Sequence, residues 1–310
     1  MPALEPAEDL DLAPGALPIT QRRLVDFIEL TKPRVVAMVV LTTLFGYYLG
    51  AASEGFDWLR LLWTLVGTGL AAGGTMALNQ YLERDLDAQM HRTRRRPLPE
   101  GRLAPADALQ FGAALTIVGI LVLVAGSNML AAAVTAATSV SYLFAYTPAK
   151  ARTSLCTLIG AVPGALPPLT GWAAASGGLD PAAWAIFAIM FVWQIPHSLA
   201  IAQVYRDDYA RAGFRLLPVV DPDGTSTARH ILTYSLALVS VAMLPTLLGL
   251  AGPIYFAASI LLGCSMVAPS VRLARSTNTA DARRVMFASL VYLPCLFAAM
   301  AADKLSAAPW

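Results

Sequence analysis

The sequence predicts an all-α fold, a polytopic membrane bundle of about nine transmembrane helices. Of the 310 residues, 57% are hydrophobic and 14% are charged, and the mean hydropathy is +0.60. These values are too apolar for an ordinary water-soluble domain. The apolar residues also fall into windows of about 20, the length that crosses a bilayer. Basic residues collect in alternate connections between these windows.

The apolar windows follow one another without a long linker or a low-complexity block. We therefore expect a single transmembrane domain over residues 24–304. An acidic, proline-containing stretch over residues 1–23 is predicted to be a disordered cytoplasmic tail. The predicted spans cover residues 35–52, 59–80, 107–125, 128–146, 154–175, 182–203, 228–249, 252–271 and 285–302.

The distribution of Lys and Arg predicts the orientation in the membrane. The stretch before span one and the connections after spans two, four, six and eight carry Lys and Arg, whereas the other connections hold almost none. Cytoplasmic loops are enriched in these residues. We expect a cytoplasmic amino terminus and an outer carboxyl terminus. For the triplet from Arg94 to Arg96, two interpretations stay open: it sets this orientation and contacts anionic lipid headgroups, or it has a functional role.

Two classes of site are not expected. The formal net charge is only +2 and the basic residues lie in short loops, so nucleic-acid binding is not predicted. Cys156, Cys264 and Cys295 fall in apolar segments without the spacing of metal ligands. They are predicted to be buried packing residues instead of a zinc site or disulfide framework.

A ladder of oxygen-bearing side chains ends the second span, in NQYLERDLDAQMHRTRRRP at residues 79–97. Asn79, Glu83 and Asp87 recur at four-residue steps, and such a step returns to nearly the same helix face, whereas Asp85 points elsewhere. A carboxylate at this depth is costly without a partner, and Mg²⁺ prefers such oxygen ligands. We therefore predict a site for a cation-bound diphosphate, with a solvated helix end as the alternative.

A second acidic loop follows span six on the predicted cytoplasmic side. It places Asp207 and Asp208 beside Arg206, and two such loops on one face favour a functional site over simple interface charges. Basic residues of the same face, Arg92, Lys150 and Arg152, suit phosphate oxygens and the charge that builds on a departing diphosphate. A cation between the loops would bridge them.

Several ordered segments resemble one family, the protoheme IX farnesyltransferases (heme O synthases) of the intramembrane aromatic prenyltransferase superfamily. The resemblance extends over about residues 24–303, and the WQIPH and GALPPLTGW segments favour the heme-modifying branch. The matching segments are TKPRV at 31–35, the acidic segment above, YTPAKARTSLCTLIGAVPGALPPLTGW at 146–172, WQIPHSLAIA at 193–202, DDYARAGFRLLPVV at 207–220 and SLVYLP at 289–294.

The resemblance implies transfer of a farnesyl group from farnesyl diphosphate to a vinyl group of heme B, with water added, giving heme O and diphosphate. It also implies Mg²⁺ as cofactor, a downstream heme-modifying membrane protein as partner and a bacterial inner membrane as the location. One Mg²⁺ is expected, because the superfamily's second aspartate-rich motif is replaced here by YRDDY at 205–209. The implied catalytic residues are Asn79, Glu83, Asp87 and His197, the first three as metal ligands; the implied substrate-binding residues are Arg92, Tyr146, Lys150, Arg152, Arg206, Asp207 and Asp208.

His197 is the only histidine well inside a predicted span, directly after Pro196. Its imidazole is expected to ligate the heme iron or to orient the propionates or the attacking water. The alternative is a hydrogen-bonded structural histidine. Tyr146 is a candidate to stabilise a cation through its ring face, although most aromatic residues in spans serve packing.

Two other functions remain open from the residues. A transporter also has many spans and charged loops, but it should bury ionisable groups near the midplane, whereas here they cluster at helix ends. Prenylation of a quinone precursor such as 4-hydroxybenzoate would share the diphosphate chemistry and differ only in the acceptor pocket.

Overall fold

The computed structural model describes residues 19–52 and 56–305, and this part of the chain is mostly helical. Eight of its helical stretches are long and apolar enough to cross a membrane. The helices, in chain order, are α1 (Ile19–Leu30), α2 (Pro33–Gly50), α3 (Trp58–Asp87), α4 (Pro105–Gly126), α5 (Met129–Val140), a π-helical segment (Ser141–Tyr146), α6 (Thr147–Arg152), α7 (Cys156–Ala165), α8 (Pro167–Ser176), α9 (Pro181–Val204), α10 (Arg206–Arg211), α11 (Leu217–Val220), α12 (Thr225–Val241), α13 (Leu244–Leu247), α14 (Pro253–Ser276) and α15 (Thr279–Ala302).

The predicted fifth span is present as two short helices, α7 and α8, which meet at Leu166. Pro167 and Pro168 lack the amide hydrogens that a continuous helix needs at this point, so the chain breaks there. Each half is only 10 residues long and is too short to cross a bilayer alone. With this broken span, the prediction of an all-α bundle of about nine transmembrane helices is confirmed.

The amino-terminal helix α1 begins at Ile19, inside the stretch predicted as a tail. The last residues assigned to the tail are therefore helical, and the remainder of that prediction falls on residues 1–18, outside the described part of the chain. Leu30 of α1 packs in a cluster with Ala77 and Leu103. Arg102 forms ion pairs with Asp26 and Glu29 of α1, so this helix is fixed to the bundle.

Glycines bring neighbouring helices into backbone contact. A Cβ atom at Gly74 of α3 would lie 2.5 Å from the carbonyl oxygen of Gly112 of α4. A Cβ atom at Gly171 of α8 would lie 1.9 Å from the carbonyl oxygen of Thr43 of α2. Small residues permit this close packing between membrane helices. Packing matters for their association because lipid tails are as apolar as the helix surfaces. The broken span is thereby held against α2.

The outward faces of the bundle are apolar. Leu121, Leu261 and Val291 are exposed, as expected for surfaces that a bilayer covers. Cys264 and Cys295 are exposed as well, whereas Cys156 is buried, and all three are free thiols. The prediction that all three cysteines are buried was wrong for two of them, because apolar character in a membrane helix does not distinguish a lipid-facing side from a core-facing side.

One end of the bundle gathers the predicted site residues, and we call it the basic end, defined by Lys32, Arg96, Lys150 and Arg215. The start of α2 and the ends of α3, α6 and α9 meet there. The amide of Arg215 donates to the carbonyl oxygen of Lys150 at 2.8 Å. The connections after α3, α6 and α9 are therefore joined on a single face.

Candidate active site

A cavity of about 630 Å³ extends from the basic end into the bundle. Its polar end includes the side chains of Glu83, Asp87 and Lys150, whereas its interior wall includes Met38 and Leu293. Among the charged side chains on its wall, five are basic (Lys32, Arg34, Arg92, Arg96 and Lys150) and two are acidic. The excess of basic over acidic side chains suits an anionic head group, and the volume falls in the range of ligand pockets.

The predicted ladder lies on the last turns of α3 and is buried. Asn79, Glu83 and Asp87 are 0%, 5% and 2% exposed, whereas the side chain of Asp85 is 83% exposed. The helix continues seven residues beyond the predicted end of the span at residue 80, as α3 ends at Asp87. Because the ladder stays helical to its last member, the four-residue spacing does place the three side chains on one face.

Each member of the ladder pairs with a different cationic side chain. The Lys32 ammonium donates to Asn79 Oδ1 at 2.8 Å. Lys150 Nζ donates to both carboxylate oxygens of Glu83, at 2.8 and 3.1 Å. Arg96 donates to Asp87 Oδ2 at 2.6 Å. The buried carboxylates are thus compensated, which removes most of the cost of holding charge inside the bundle.

Asn79 differs from its two neighbours on the ladder. Its Nδ2 donates to Thr147 Oγ1 at 3.2 Å while its Oδ1 accepts from Lys32, so both ends of the amide are engaged. Glu83 and Asp87 lie on the cavity wall and Asn79 is enclosed behind it. The structure therefore brings the three predicted residues together but presents only the carboxylates to the cavity.

Lys32, which the sequence analysis assigned to the basic stretch before span one and to the TKPRV segment but not to the site, lines the cavity. It stands just before α2 in a left-handed conformation, with φ 50° and ψ 67°, which is strained for a residue other than glycine. Burial, together with the nearby charges of Arg96 and Lys150, lowers the pKa of Lys32 to about 7. A bound anion would favour its charged form.

Arg96 is the second cavity residue that is absent from the predicted site set, since the sequence left the role of its basic triplet open. Of that triplet, Arg96 lines the cavity, whereas Arg94 and Arg95 are exposed. The sequence gives little to distinguish Arg96 from Arg94 and Arg95, because the position of Arg96 opposite Asp87 depends on the path of the loop in three dimensions. The adjacent Thr93 donates to the backbone oxygen of Asp87 at 2.7 Å, which turns the loop back towards the helix.

Tyr146 lies beside the cation that pairs with Glu83. Lys150 Nζ is 4.6 Å from the centre of the Tyr146 ring, and the rings of Tyr142 and Tyr146 make an edge contact at 5.2 Å. The π-helical segment widens the helix and directs both rings to the cavity wall. Gly160 leaves room for the ring, because a Cβ atom there would be 2.5 Å from Tyr146.

The second acidic loop contacts the first through side chains. Arg92 stacks near the rings of Tyr205 and Tyr209 and donates to the Tyr209 hydroxyl at 3.4 Å. Partial desolvation opposes ionisation of Asp208, but its hydrogen bond to Arg211 and the nearby backbone amides of His91 and Arg92 hold its pKa below the usual range. Asp208 therefore helps to join the two loops.

The other predicted substrate-binding residues lie at the basic end but not on the cavity wall. Arg152 and Asp207 are exposed. Arg206 donates to the carbonyl oxygen of Pro222 at 3.1 Å, and Asp208 is paired with Arg211. Their predicted contact with substrate stays a prediction.

His197 lines the same cavity. Its ring stacks on Trp193, with centroids 4.8 Å apart and planes 15° apart. Nδ1 lies 2.7 Å from the Ser289 hydroxyl. The structure thus brings His197 and the polar end of the cavity into one chamber.

The donors at the polar end fit a hard cation better than a transition metal. Within the described residues there is no group of three or more His, Cys, Asp or Glu side chains that would form a metal cage. Two carboxylates on a cavity wall match Mg²⁺, which is commonly held by one or two carboxylates together with substrate phosphate oxygens.

Comparison with known proteins identifies relatives of this chain. Residues 39–291 match the UbiA prenyltransferase family. A protoheme IX farnesyltransferase of Solibacter usitatus (strain Ellin6076) is 48% identical over 287 residues, covering 90% of this chain and 98% of the relative. The protein of the same name from Myxococcus xanthus (strain DK1622) is 44% identical over 280 residues, covering 90% and 94%.

Solved structures share the fold at low sequence identity. A structure of digeranylgeranylglyceryl phosphate synthase has a TM-score of 0.76 at 16% identity, covering 91% of this chain and 98% of that one. A UbiA homolog from Archaeoglobus fulgidus bound to GPP and Mg²⁺ has a TM-score of 0.61 at 14% identity, covering 89% and 99%. The family match and the close relatives together show that this chain is a membrane-embedded prenyltransferase and belongs to the UbiA prenyltransferase family.

Proposed function

We propose that this protein transfers the farnesyl group of farnesyl diphosphate to a vinyl group of heme B, with addition of water, to give heme O and diphosphate. The observation that carries the proposal is a single cavity that joins a basic, carboxylate-bearing end to an apolar interior containing His197. The relatives named protoheme IX farnesyltransferase, at 44% and 48% identity, support the choice of heme as acceptor.

The proposed setting is a bacterial inner membrane with the basic end at the cytoplasmic surface. The Lys and Arg residues of alternate connections support this orientation, with the amino terminus inside and the carboxyl terminus outside. Farnesyl diphosphate would then bind with its charged head at the interface and its chain among the helices. A downstream heme-modifying membrane protein would receive the product.

Mg²⁺ is the proposed cofactor, held by Glu83 and Asp87. Asn79 lies on the same face of α3, and its predicted contact with the metal stays a prediction. The UbiA homolog solved with GPP and Mg²⁺ supports this choice. When bound, Mg²⁺ would neutralise diphosphate charge and assist departure of the leaving group. One ion is proposed, because Asp207 is exposed and Asp208 is paired with Arg211.

The basic side chains are proposed to hold the diphosphate. Each member of the ladder accepts a hydrogen bond from one cationic side chain, Lys32, Lys150 or Arg96. On substrate binding, each cation would move this hydrogen bond from the ladder oxygen to a phosphate oxygen, so it would stay paired throughout. Arg92 adds a further cation at the polar end. This exchange places positive charge where negative charge builds as the carbon–oxygen bond breaks.

The bond changes follow from the substrates. The carbon–oxygen bond of farnesyl diphosphate breaks, its electron pair leaves with the diphosphate, and C1 of the farnesyl group becomes electrophilic. The vinyl π electrons form the new carbon–carbon bond, which leaves positive charge on the carbon next to the porphyrin. Water adds at that carbon and loses a proton. The rings of Tyr142 and Tyr146, which line the cavity, are proposed to stabilise positive charge near the polar end.

Arg152, Arg206, Asp207 and Asp208 are proposed to act at the entrance to the site. The two arginines add positive potential at the basic end, which would draw anionic substrates to the cavity. Asp208 is proposed to hold the loop after α3 in place through Arg211 and the backbone near His91 and Arg92.

The test is incubation of the purified protein with heme B, farnesyl diphosphate and Mg²⁺, followed by mass analysis of the pigment. We expect a heme that has gained one farnesyl group and one water. A parallel reaction with 4-hydroxybenzoate and the Asp87→Asn variant are the controls. Prenylation of 4-hydroxybenzoate without modification of heme would contradict the proposed acceptor.

A further inference from the structure

The imidazole of His197 is held from two sides by groups that converge on one residue of α15. Its Nδ1 lies 2.7 Å from Ser289 Oγ. Its ring stacks on Trp193, and Trp193 Nε1 in turn donates to the backbone oxygen of Ser289 at 3.0 Å. Ser289 is fully buried, so both the position and the plane of the imidazole depend on it.

The protons of this group can be counted. Ser289 Oγ lies 2.6 Å from the carbonyl oxygen of Met286, and two oxygens this close share a hydrogen. A carbonyl oxygen has none to give, so the Ser289 hydroxyl donates to Met286. A hydroxyl has only one hydrogen, and therefore Ser289 Oγ accepts from His197 Nδ1–H. In the neutral imidazole, the lone pair is then on Nε2.

This lone pair belongs to a residue on the cavity wall. Nε2 of His197 has no hydrogen-bond partner among the described residues, and the same cavity is also lined by Met190, Leu290 and Leu293. No other histidine of the described chain lines the cavity. A free imidazole nitrogen of a residue that lines a cavity is a suitable ligand for the iron of a flat, largely apolar macrocycle.

We propose that Ser289 is a positioning residue that fixes His197 in its Nδ1-protonated form and thereby directs Nε2 to the iron of the heme substrate. The inference rests on the proposed function for the identity of the iron-bearing substrate, and it adds the residue that aims the ligand. The hydrogen bond from Nδ1 to Ser289 also raises the basicity of Nε2, as partners behind a metal-binding imidazole do.

The experiment is a titration of the purified full-length protein with heme B alone, without farnesyl diphosphate, followed by absorption spectra and, for the ferrous form, the iron–imidazole stretching frequency. The wild type should show imidazole ligation. His197→Ala should lose that spectrum and regain it when free imidazole is added. Ser289→Ala should keep ligation, bind heme about tenfold more weakly and shift the iron–imidazole frequency downwards.

Two further variants separate positioning from packing. Ser289→Cys, whose sulfur is a weak acceptor, should give an intermediate frequency and serves as the test if Ser289→Ala does not fold. Ser235→Ala is the matched control, because Ser235 is also fully buried, pairs with the Ser270 hydroxyl at 2.9 Å and lies away from the cavity. It should leave the heme spectrum unchanged.

An unchanged spectrum in His197→Ala, or a wild-type frequency in both Ser289 variants, would overturn the inference. The outcome is separate from that of the proposed function. Imidazole ligation without farnesylated product would contradict the proposed reaction and support the inference. Farnesylated heme with no His197-dependent spectrum would support the reaction and contradict the inference.

Discussion

The Lys150→Met variant tests whether the ladder is held by compensation of buried charge. The side chains of Lys150 and Glu83 are 13% and 7% exposed, at an Nζ–Oε1 distance of 2.8 Å. Removing one partner of a buried ion pair costs about 3–5 kcal/mol. Lys32 and Arg96 remain nearby, so we expect a loss of about 2–4 kcal/mol in the free energy of unfolding.

The double variant Lys150→Met with Glu83→Gln separates stability from chemistry. With both charges removed, the free energy of unfolding should return to within about 1 kcal/mol of wild type. Turnover should stay at least about a hundredfold below wild type, because a diphosphate-binding cation and a metal-binding carboxylate are both gone. Denaturant unfolding in detergent and diphosphate release measure the two quantities. A double variant as unstable as Lys150→Met, or one with wild-type turnover, would refute this reasoning.

Three further predictions use other parts of the site and the fold. Asp87→Asn should lower turnover by about a hundredfold with normal membrane insertion, measured by product formation and by yield of monodisperse protein. Arg96→Gln should reduce turnover more than Arg152→Gln, since only Arg96 lines the cavity; equal losses would show that the cavity wall does not define the site. Gly171→Ala should destabilise the protein by about 1–3 kcal/mol through overpacking, whereas Gly178→Ala, with no atom within 4 Å of the new Cβ, should be neutral in the same unfolding assay.

Local spacing was sufficient to predict the parts of the fold that depend on local geometry. The apolar windows predicted the bundle because bilayer thickness fixes the length of a span. The four-residue spacing of Asn79, Glu83 and Asp87 predicted their common face because a helix repeats every 3.6 residues. The sequence also indicated the basic end, because the positions of Lys and Arg along the chain predict which loops share a membrane face without any knowledge of helix packing.

Contacts between distant segments were not accessible in the same way. Lys32 lies 47 residues from its partner Asn79, and its role depends on a left-handed backbone conformation that the TKPRV sequence does not signal. Ser289 lies 92 residues from His197, on a helix whose rotation within the bundle decides which residue meets the imidazole. The outward positions of Cys264 and Cys295 follow from the same rotations.

The central claim is that two carboxylates of α3 and the surrounding cations hold a magnesium-bound diphosphate at the polar end of the cavity. The most direct measurement is calorimetric binding of farnesyl thiodiphosphate, an analogue that resists cleavage, with Mg²⁺ and with chelator. We predict binding at least about tenfold tighter with Mg²⁺ in the wild type, and no such difference in the Glu83→Gln and Asp87→Asn variants. Equal affinity of the wild type with and without Mg²⁺ would contradict the account.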